Sequence, residues 1–339
     1  MTKGKFINLN KREVIMIDGN EMDGNKDYYE EGADSCGCGG GEEEDSCGCG
    51  SGGEDEGSSC GCGGGEGHGH GHGSKNPFDE QTPISGVKSI IAVASGKGGV
   101  GKSTFSVNLA ITLANQGKKV GLLDADLYGP SVPTMMGINK RPDLTSNNKI
   151  VPLEKFGIKL MSLGFLIPED APAIWRGPVV MQVITQFLKD VEWGEIDFLV
   201  VDLPPGTGDI QLTLVQTVPI NFAIVVSTPQ DISLIDAKKA LAMFDKVNVP
   251  VFGIVENMSY FICPHCDKRS DIFKHGGAKT AAEKLGVNFL GEIPIVEDIC
   301  ELSDKGEPIM TKDIHPEVKS VFNKISDSLI LRSEQKVGA

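Results

Sequence analysis

Apolar and polar positions follow two alternating patterns along the chain from residue 88 onward. Short apolar runs are typical of buried parallel strands, and between them lie stretches with apolar residues at helical spacing. The alternation predicts an α/β fold with a doubly wound, mostly parallel sheet. The strand-like runs cover residues 89–94, 119–123, 158–163, 198–201, 222–227 and 251–255, and the helical stretches include 105–114, 179–191 and a last segment from His315.

The first 86 residues break this pattern. Residues 31–76 contain 18 glycines and not one Val, Ile, Leu, Met, Phe, Tyr or Trp. Such a segment cannot bury enough apolar surface to offset the chain entropy lost on folding, so we expect it to be disordered without a ligand. The sequence therefore predicts an acidic tail over residues 1–86 and a folded domain over 87–333. Residues 14–17 are compatible with a short strand, to which we assign no function.

Charge follows the same division. The chain carries a net charge of −15, and residues 1–86, with 18 acidic and 6 basic residues, account for −12 of it. The remaining −3 argues against nucleic acid as a partner, because nucleic-acid binding requires a basic face. No apolar run reaches membrane-spanning length, and the first 30 residues lack the apolar core of a signal peptide. We therefore expect a cytoplasmic protein that binds neither nucleic acid nor membrane.

A glycine-rich run directly follows the first predicted strand. It fits the phosphate-binding pattern G-x-x-x-x-G-K-[ST], with Gly96, Gly101, Lys102 and Ser103 at the fixed positions. Glycines let backbone N–H groups point at phosphate oxygens, Lys102 neutralises the β- and γ-phosphates, and the Ser103 hydroxyl binds Mg²⁺. Strand, loop and helix stand in the required order, so we predict a site for a nucleotide and Mg²⁺. The loop residues expected to contact the nucleotide are Gly96, Gly98, Gly99, Val100, Gly101, Lys102, Ser103 and Thr104.

Acidic residues end two of the predicted strands, at the edge where open α/β sheets bind ligands. The run 198–201 closes on Asp202, which looks like a Walker B carboxylate that binds Mg²⁺ or orients a metal-bound water. Asp124 and Asp126 follow the run 119–123. An aspartate in either position can equally be a helix cap or a turn residue, so the residues alone leave both interpretations open.

Cysteines in the tail occur in three Cys-Gly-Cys units, followed by histidines that alternate with glycine. Thiolate and imidazole bind soft and borderline metals such as Zn²⁺, Cu⁺, Ni²⁺ and the iron of iron–sulfur clusters. The Cys-x-Cys spacing differs from the Cys-x₂-Cys of most zinc sites and specifies no particular metal. A solubilising low-complexity tail is the alternative. The candidate metal ligands are Cys36, Cys38, Cys47, Cys49, Cys60, Cys62, His68, His70 and His72.

The predicted folded domain carries a Cys-x₂-Cys pair, Cys263 and Cys266. Such a pair fits thiol–disulfide chemistry, half a zinc site or half an iron–sulfur site. A thioredoxin-like role needs a fold that the phosphate-binding loop excludes, and both kinds of metal site need four ligands. Two copies of the pair across the two-fold axis of a homodimer would provide four thiolates. Cys300 falls in a predicted helix, where we interpret it as a small buried residue.

The run from Lys97 to Ser103, Lys-Gly-Gly-Val-Gly-Lys-Ser, resembles the deviant Walker A ATPases. This class contains MinD and ParA, the nitrogenase iron protein and the Mrp-type iron–sulfur cluster carriers. The resemblance implies ATP as the nucleotide, ATP hydrolysis as the reaction, and an ATP-bound homodimer in which Lys97 reaches the nucleotide of the partner subunit. Its charge would stabilise the transferring phosphoryl group, as an arginine finger does. Taken alone, Lys97 would be interpreted as a solvated surface lysine, and the seven-residue match is what favours the role in the partner's site.

Two further segments resemble the switch regions of the Mrp-type carriers. The run 124–133, Asp-Ala-Asp-Leu-Tyr-Gly-Pro-Ser-Val-Pro, is similar to their switch I. That similarity implies that Asp126 orients the attacking water and that Asp124 supports the Mg²⁺ shell. The run 203–209, Leu-Pro-Pro-Gly-Thr-Gly-Asp, is similar to switch II, which implies that the Gly206 N–H senses the γ-phosphate.

The remaining matches to these carriers lie nearer the C-terminus. Asn257 corresponds to an asparagine that binds the adenine edge, and Pro294 to the other side of the base pocket. Cys263 and Cys266 correspond to the pair that bridges a [4Fe–4S] cluster between two subunits. The resemblance covers residues 87–333 and implies an ATP-dependent scaffold or carrier. Its partners would be upstream cluster assembly proteins and the apo iron–sulfur proteins that receive the cluster.

Other functions stay compatible with the sequence. A positioning ATPase like MinD or ParA is disfavoured by the Cys263–Cys266 pair and by the absence of a basic or lipid-binding terminus. An electron-transfer reductase like the nitrogenase iron protein has single cluster cysteines far apart in sequence, unlike this pair. The histidine run suggests a nickel or copper chaperone. The tail also departs from the carriers, because its Cys-Gly-Cys units do not match the N-terminal cysteine motif of their eukaryotic cytosolic relatives.

Overall fold

The described part of the chain is built on an eight-stranded sheet. The computed structural model describes residues 81–126, 129–165, 177–266 and 268–337, which belong to one compact unit. The strands are β1 Val87–Ala94, β2 Val120–Asp124, β3 Leu153–Lys155, β4 Ile158–Ser162, β5 Ile196–Asp202, β6 Phe222–Ser227, β7 Val251–Glu256, β8 Phe261–Ile262, β9 Arg269–Ser270 and β10 Phe289–Glu292. The helices are α1 Lys102–Asn115, α2 Val132–Met135, α3 Gly177–Asp190, α4 Asp209–Thr217, α5 Asp231–Lys246, α6 Gly277–Leu285, α7 Glu297–Asp304 and α8 Pro316–Val337.

The order of the strands confirms the predicted doubly wound, mostly parallel sheet. Across the sheet the order is β10-β7-β6-β1-β5-β2-β4-β3. Among these described strands, β3 alone runs antiparallel to its neighbour. β1 lies in the middle, between β5 and β6, and its last six residues are buried. Helices flank the sheet and exclude water from both faces, which is why the central strands are apolar without alternation.

Helix α8 closes one side of the core. Its apolar stripe faces inward, with Val318, Phe322, Ile325 and Leu329 all at most 2% exposed. The rings of Phe322 and Phe105 stack with their centroids 5.4 Å apart, which joins α8 to α1. The stripe therefore packs the core, as its spacing predicted. Among the described helices, none has both the length and the apolar character that crossing a bilayer requires.

Strand register places polar side chains side by side at the carboxyl edge of the sheet. Asp124 at the end of β2 is in register with Asp202 at the end of β5 and with Ser162 at the end of β4. β1 ends at Ala94 next to β5 and leads into the glycine-rich loop. The fold therefore brings the predicted phosphate loop and the predicted carboxylates to one edge, where open α/β sheets bind ligands.

The folded body begins earlier than the predicted boundary at residue 87. The Gln81 side chain donates to the Val215 carbonyl, the Thr82 N–H donates to the Thr217 carbonyl, and Ile84 joins the core. Residues 81–86 therefore contact α4, and Ile84 contributes an apolar side chain to the core. The candidate tail ligands between Cys36 and His72, and the possible strand at 14–17, lie outside the described residues and stay predictions.

Candidate functional site

The glycine-rich loop connects the end of β1 to the start of α1. Gly99 and Gly101 have φ angles of 80° and 82°, a left-handed conformation that glycine adopts without strain. A Cβ on Gly101 would collide with the Asn257 amide, and one on Gly96 would collide with the backbone of Asp236 in α5. Glycine is thus required both for the turn and for close packing. The loop opens α1, whose N-terminal N–H groups attract anions.

Lys102 is already held at the site by a buried ion pair. Its Nζ lies 2.8 Å from Oδ1 of Asp202, and the two side chains are 6% and 0% exposed. The Ser106 hydroxyl also donates to this Oδ1, at 2.8 Å. The other oxygen, Oδ2, is buried and accepts no hydrogen bond from any described residue. Lys102 also donates to the Ser103 hydroxyl, at 3.3 Å, and Ser103 lines the cavity over the loop. A carboxylate oxygen without a donor and a hydroxyl, both on residues that contact Lys102, are oxygen ligands of the kind that Mg²⁺ prefers.

Asp124 lies beside Asp202 and is fully buried. It accepts hydrogen bonds from the Asp126 N–H at 3.0 Å and from the Ser162 hydroxyl at 2.9 Å. Burial and the Asp202 charge nevertheless raise the pKa of Asp124 from 3.8 to about 7. Two adjacent acidic groups share the charge of one lysine, Lys102, which is paired with Asp202, so a divalent cation would be favourable here.

The buried Asp124 predicts a pH-dependent stability in the absence of nucleotide. Because its folded-state pKa is raised, its contribution to stability is present in acid and is lost as the pH rises from about 4 through about 7. Asp124→Asn cannot ionise, so its melting temperature relative to the original protein should increase as the pH is raised over this range. Its ATP hydrolysis should decrease, because a carboxylate beside the metal position is lost. Thermal unfolding at a series of pH values tests the first effect.

Asp197 provides the matched control at the opposite edge of the sheet. Partial burial alone would raise the pKa of Asp197, but hydrogen bonds from Lys88 and from the Lys119 N–H lower it. Its stabilising contribution is therefore present at neutral pH and is lost as the pH falls. Asp197→Asn should show the opposite pH trend and unchanged hydrolysis. Identical trends in the two variants would contradict this account of Asp124.

A cavity of about 780 Å³ lies over the loop and is large enough for a nucleotide. The residues lining it include Gly98, Gly99, Gly101, Lys102, Ser103, Thr104, Asp126, Asn257 and Pro294. The fold therefore gathers most of the predicted site residues around one space. The Asn257 amide donates to the Val100 carbonyl of the loop at 2.8 Å, so without nucleotide this side chain is bound to the loop itself.

Two of the predicted nucleotide-binding residues, Lys97 and Gly206, are absent from the lining of the cavity in the described chain. The Lys97 carbonyl accepts a hydrogen bond from the Ser95 hydroxyl. Gly206 has a φ of 95°, and its N–H donates to the Ser95 carbonyl at 3.0 Å. This N–H must leave Ser95 before it can bind a phosphate oxygen.

Cys263 and Cys266 lie at the turn of the small β8–β9 hairpin. Cys263 is half-buried, Cys266 is exposed, and the Cys263 N–H donates to the Lys268 carbonyl at 3.0 Å. The start of the hairpin is bound to the edge of the cavity, because Phe261 pairs with Ile295 and the Ile295 N–H donates to the Tyr260 carbonyl at 2.7 Å. In the described part of one chain, no three His, Cys, Asp or Glu side chains are grouped to hold a metal ion.

The interpretation of Cys300 as a buried residue is wrong. It does lie in a helix, α7, but its side chain is exposed and faces the nucleotide-sized cavity. Helix α7 has eight residues, and the face that carries Cys300 borders the cavity. The spacing of its apolar residues suggested that this face packs against the core. The pattern of apolar positions identifies the inward face of a helix but cannot tell a packed core from an open pocket.

Sequence reasoning missed several polar residues that hold the site together. Ser106 supports Asp202, Ser162 supports Asp124, and Glu256 lies buried at the end of β7. Ser162 ends β4 and Glu256 ends β7, at the same edge as the aspartates. Each lies within one residue of the end of a predicted strand, and this position was the signal that could have identified them. Ser106 follows Ser103 by about one helical turn, and no local pattern distinguishes it from other helix residues.

Comparison with known proteins identifies the family of the chain. Residues 86–330 match the ParA family pattern described as NUBPL iron-transfer P-loop NTPase. An iron–sulfur cluster carrier protein from Aquifex aeolicus is 50% identical over 266 residues, which cover 78% of this chain and 73% of that protein. The mouse iron–sulfur cluster transfer protein NUBPL is 49% identical over 255 residues, which cover 75% of this chain and 80% of its own.

Solved structures agree with the fold. A nucleotide-binding protein from Archaeoglobus fulgidus, in complex with ADP, superposes with a TM-score of 0.62 at 41% identity and covers 70% of this chain and 93% of its own. The cell division ATPase MinD from Pyrococcus furiosus superposes with a TM-score of 0.54 at 22% identity and covers 72% and 99%. At this identity, the similarity to MinD shows a shared fold and no more. The chain belongs to the Mrp-type family of iron–sulfur cluster carriers, the P-loop NTPases that include the NUBPL proteins.

Proposed function

We propose that this protein is an ATP-dependent carrier that holds a [4Fe–4S] cluster at the interface of a homodimer and transfers it to apo-proteins. The observation that carries the proposal is the position of the cysteine pair. Cys263 and Cys266 lie on a hairpin whose first strand pairs with Ile295, a residue that lines the nucleotide cavity. A site for the cargo and a site for ATP are therefore joined by backbone hydrogen bonds.

ATP binding and hydrolysis would act as the switch. Lys102 would exchange Asp202 for the β- and γ-phosphates, and Lys97 would act on the nucleotide of the partner subunit. Asp126, at the cavity wall, would orient the attacking water. Gly206 would exchange the Ser95 carbonyl for a γ-phosphate oxygen, which gives switch II two discrete positions. Mg²⁺, bound by Ser103 and Asp202, would supply positive charge between the phosphates.

Two observations support the homodimer. One chain provides two thiolates at the hairpin, half of the ligands that a cluster needs. Exposed apolar side chains also lie on neighbouring segments, with Ile232 and Ile235 on α5 and Ile272 and Phe273 after β9 between 38% and 67% exposed. Contact between Lys274 and Asp231 joins these segments. Apolar side chains clustered on a surface are typical of an interface.

The partners would be proteins that supply clusters and apo-proteins that need them. A relative from Arabidopsis thaliana, 50% identical over 248 residues, is named as an iron–sulfur protein required for mitochondrial NADH dehydrogenase. The bacterial relatives are named as carriers without a recipient. The recipients of this chain are therefore proposed only as a class. The cytoplasmic location stays a prediction, since relatives of similar identity include a mitochondrial protein.

A transfer assay tests the function directly. Protein reconstituted anaerobically with iron and sulfide should activate an apo-enzyme whose activity requires a [4Fe–4S] cluster. Activation should be faster than with the same amounts of free iron and sulfide, because the carrier delivers an assembled cluster. A chelator that does not enter proteins should stop the free-iron control and leave the carrier reaction largely intact. Equal rates with and without the carrier would contradict the function, and a positioning ATPase would give that result.

A further inference from the structure

Glu256 is a buried carboxylate to which the proposed chemistry assigns no role. It ends β7 and is 0% exposed, and the three groups of the described chain that donate to its side chain are all uncharged. The Ser259 hydroxyl donates to Oε1 at 2.6 Å and the Gly276 N–H donates to Oε1 at 3.1 Å, while the Ala278 N–H donates to Oε2 at 2.7 Å. The two backbone donors lie at the N-terminus of α6, where Gly276 precedes the helix and Ala278 is in its first turn, and a negative charge is favourable there.

These donors belong to the two ends of a single excursion of the chain. After Glu256 the chain leaves the sheet, forms the hairpin that carries Cys263 and Cys266, and returns at Gly276 to begin α6. Ser259 lies near the start of the excursion, and Gly276 lies at its end. The Glu256 carboxylate therefore clamps the base of the segment that holds the cysteine pair.

The same base contacts the nucleotide loop. Asn257, next to Glu256, donates its amide to the Val100 carbonyl of the phosphate loop, and Met258 lines the cavity. Met258 has a φ of 55°, a conformation that costs free energy in a residue with a long side chain. The Ser259 N–H then donates to the Ile293 carbonyl. The strained Met258 thus lies between Asn257, which is bound to the phosphate loop, and Ser259, which is bound to Glu256.

We infer that Glu256 is a positioning residue that transmits nucleotide occupancy from Asn257 to the cysteine pair. When nucleotide draws Asn257 away from Val100, the clamp fixes the base of the excursion, so the displacement moves the hairpin. Without the clamp, the displacement is absorbed at the base, and the cysteines do not respond. The inference rests on the proposed function, because the coupling would serve to control cluster binding. The coupling itself can be measured in the protein without a cluster.

Alkylation of Cys266 measures this coupling in the metal-free protein. The full-length chain with its six tail cysteines replaced by serine is treated with iodoacetamide, with and without a saturating non-hydrolysable ATP analogue and Mg²⁺. Mass spectrometry of the peptide that contains Cys266 separates it from Cys300, and fragmentation of that peptide between Cys263 and Cys266 assigns the label to Cys266. In the protein without further changes, the analogue should slow alkylation of Cys266 by about fivefold or more, the ratio expected for ordinary coupling between sites.

Two variants of different severity test the role of the clamp. Glu256→Gln places an N–H₂ group against a backbone N–H, and Ser259→Ala removes one donor without adding a clash. Both should bind the analogue within about twofold of the original affinity but show protection of less than about twofold. Ser326→Ala is the control, since it removes a buried hydroxyl in α8 that donates to the Asn323 carbonyl. It should retain full protection.

The outcomes separate the inference from the proposed function. Full protection of Cys266 in both Glu256→Gln and Ser259→Ala would overturn the inference. It would also be overturned if the analogue did not protect Cys266 in the protein that keeps Glu256 and Ser259. Loss of protection in Ser259→Ala, with analogue affinity and melting temperature retained, would support it. Iron uptake by the same proteins is counted separately. Protection that depends on the clamp, in a protein that binds no iron at the pair, would refute the cluster carrier and leave the coupling in place.

Discussion

Lys102→Ala should abolish ATP hydrolysis, with a decrease of about a hundredfold or more in the rate at saturating ATP and Mg²⁺. Without nucleotide, Lys102 is held 2.8 Å from buried Asp202, at the edge of the cavity where phosphates would lie. The positive charge that stabilises the transferring phosphoryl group is therefore in place before ATP arrives. Alanine removes that charge and leaves two adjacent buried aspartates, Asp124 and Asp202, without a lysine. Phosphate release measures the effect.

Lys88→Ala is the matched control for the loss of a lysine. Lys88 lies at the amino end of β1, far along the strand from the loop, and pairs at the surface with Asp197 at 2.8 Å. Its replacement should leave hydrolysis at the original rate, because a surface ion pair contributes little to the stability of the fold and this one lies away from the nucleotide site. Equal losses in Lys88→Ala and Lys102→Ala would mean that hydrolysis responds to charge in general, and would contradict the assigned role.

Lys97 requires a different design, because its proposed target is the nucleotide of the partner subunit. Lys97→Ala should bind ATP but fail to hydrolyse it. In a mixed dimer, a Lys97→Ala subunit keeps its own Lys102 and receives Lys97 from a Lys102→Ala partner. An equal mixture of the two inactive variants should therefore recover up to about a quarter of the original activity, since half of the dimers are mixed and each has one complete site. Normal hydrolysis by Lys97→Ala alone would refute the trans role.

Cys263→Ala or Cys266→Ala should remove the cluster and leave ATP binding largely intact. The two-fold axis repeats each substitution, so each variant loses two of four thiolates, and a stable cluster should not remain. Neither cysteine lines the nucleotide cavity in the described chain, which is why the affinity for ATP should change little. Iron content and visible absorbance, measured anaerobically in a background without tail cysteines, report the loss.

Cys300→Ala is the control for these cysteine variants. Cys300 is exposed like Cys266 but lines the nucleotide cavity from α7. Its replacement should leave the iron content unchanged, because it lies outside the hairpin. If Cys300→Ala lost iron as fully as Cys263→Ala, the cluster site would have to include α7, and the two-cysteine interface would be wrong.

The sequence predicted the fold and the position of the glycine-rich loop between β1 and α1, because local chemistry determines both. β1 must be apolar on both faces to lie in the middle of a parallel sheet, and the loop must contain glycine where Gly99 and Gly101 adopt left-handed backbone angles. These requirements are visible in a few neighbouring residues. Asp124 and Asp202 were also identifiable, since each ends a strand at the binding edge.

The features that could not be predicted from the sequence depend on contacts between residues that are far apart along the chain. The clamp at Glu256 involves Gly276 and Ala278, which are joined to it only by the return of the excursion to the sheet. Cys300 looked like a core residue because helical spacing does not reveal that its neighbour is a cavity. The Gly206 N–H is bound to Ser95, a contact that no motif specifies. Each of these features exists only after the sheet is assembled.

Iron stoichiometry in the assembled dimer tests the central claim most directly. The full-length chain with serine at the six tail cysteine positions is reconstituted anaerobically with iron and sulfide, and its mass is measured in solution. A bridging [4Fe–4S] cluster predicts a dimer with about two iron and two sulfide per chain, and conversion to a metal-free protein on replacing Cys263. A Cys263→Ala protein that keeps the full iron content, or a monomer that carries it, would contradict the account.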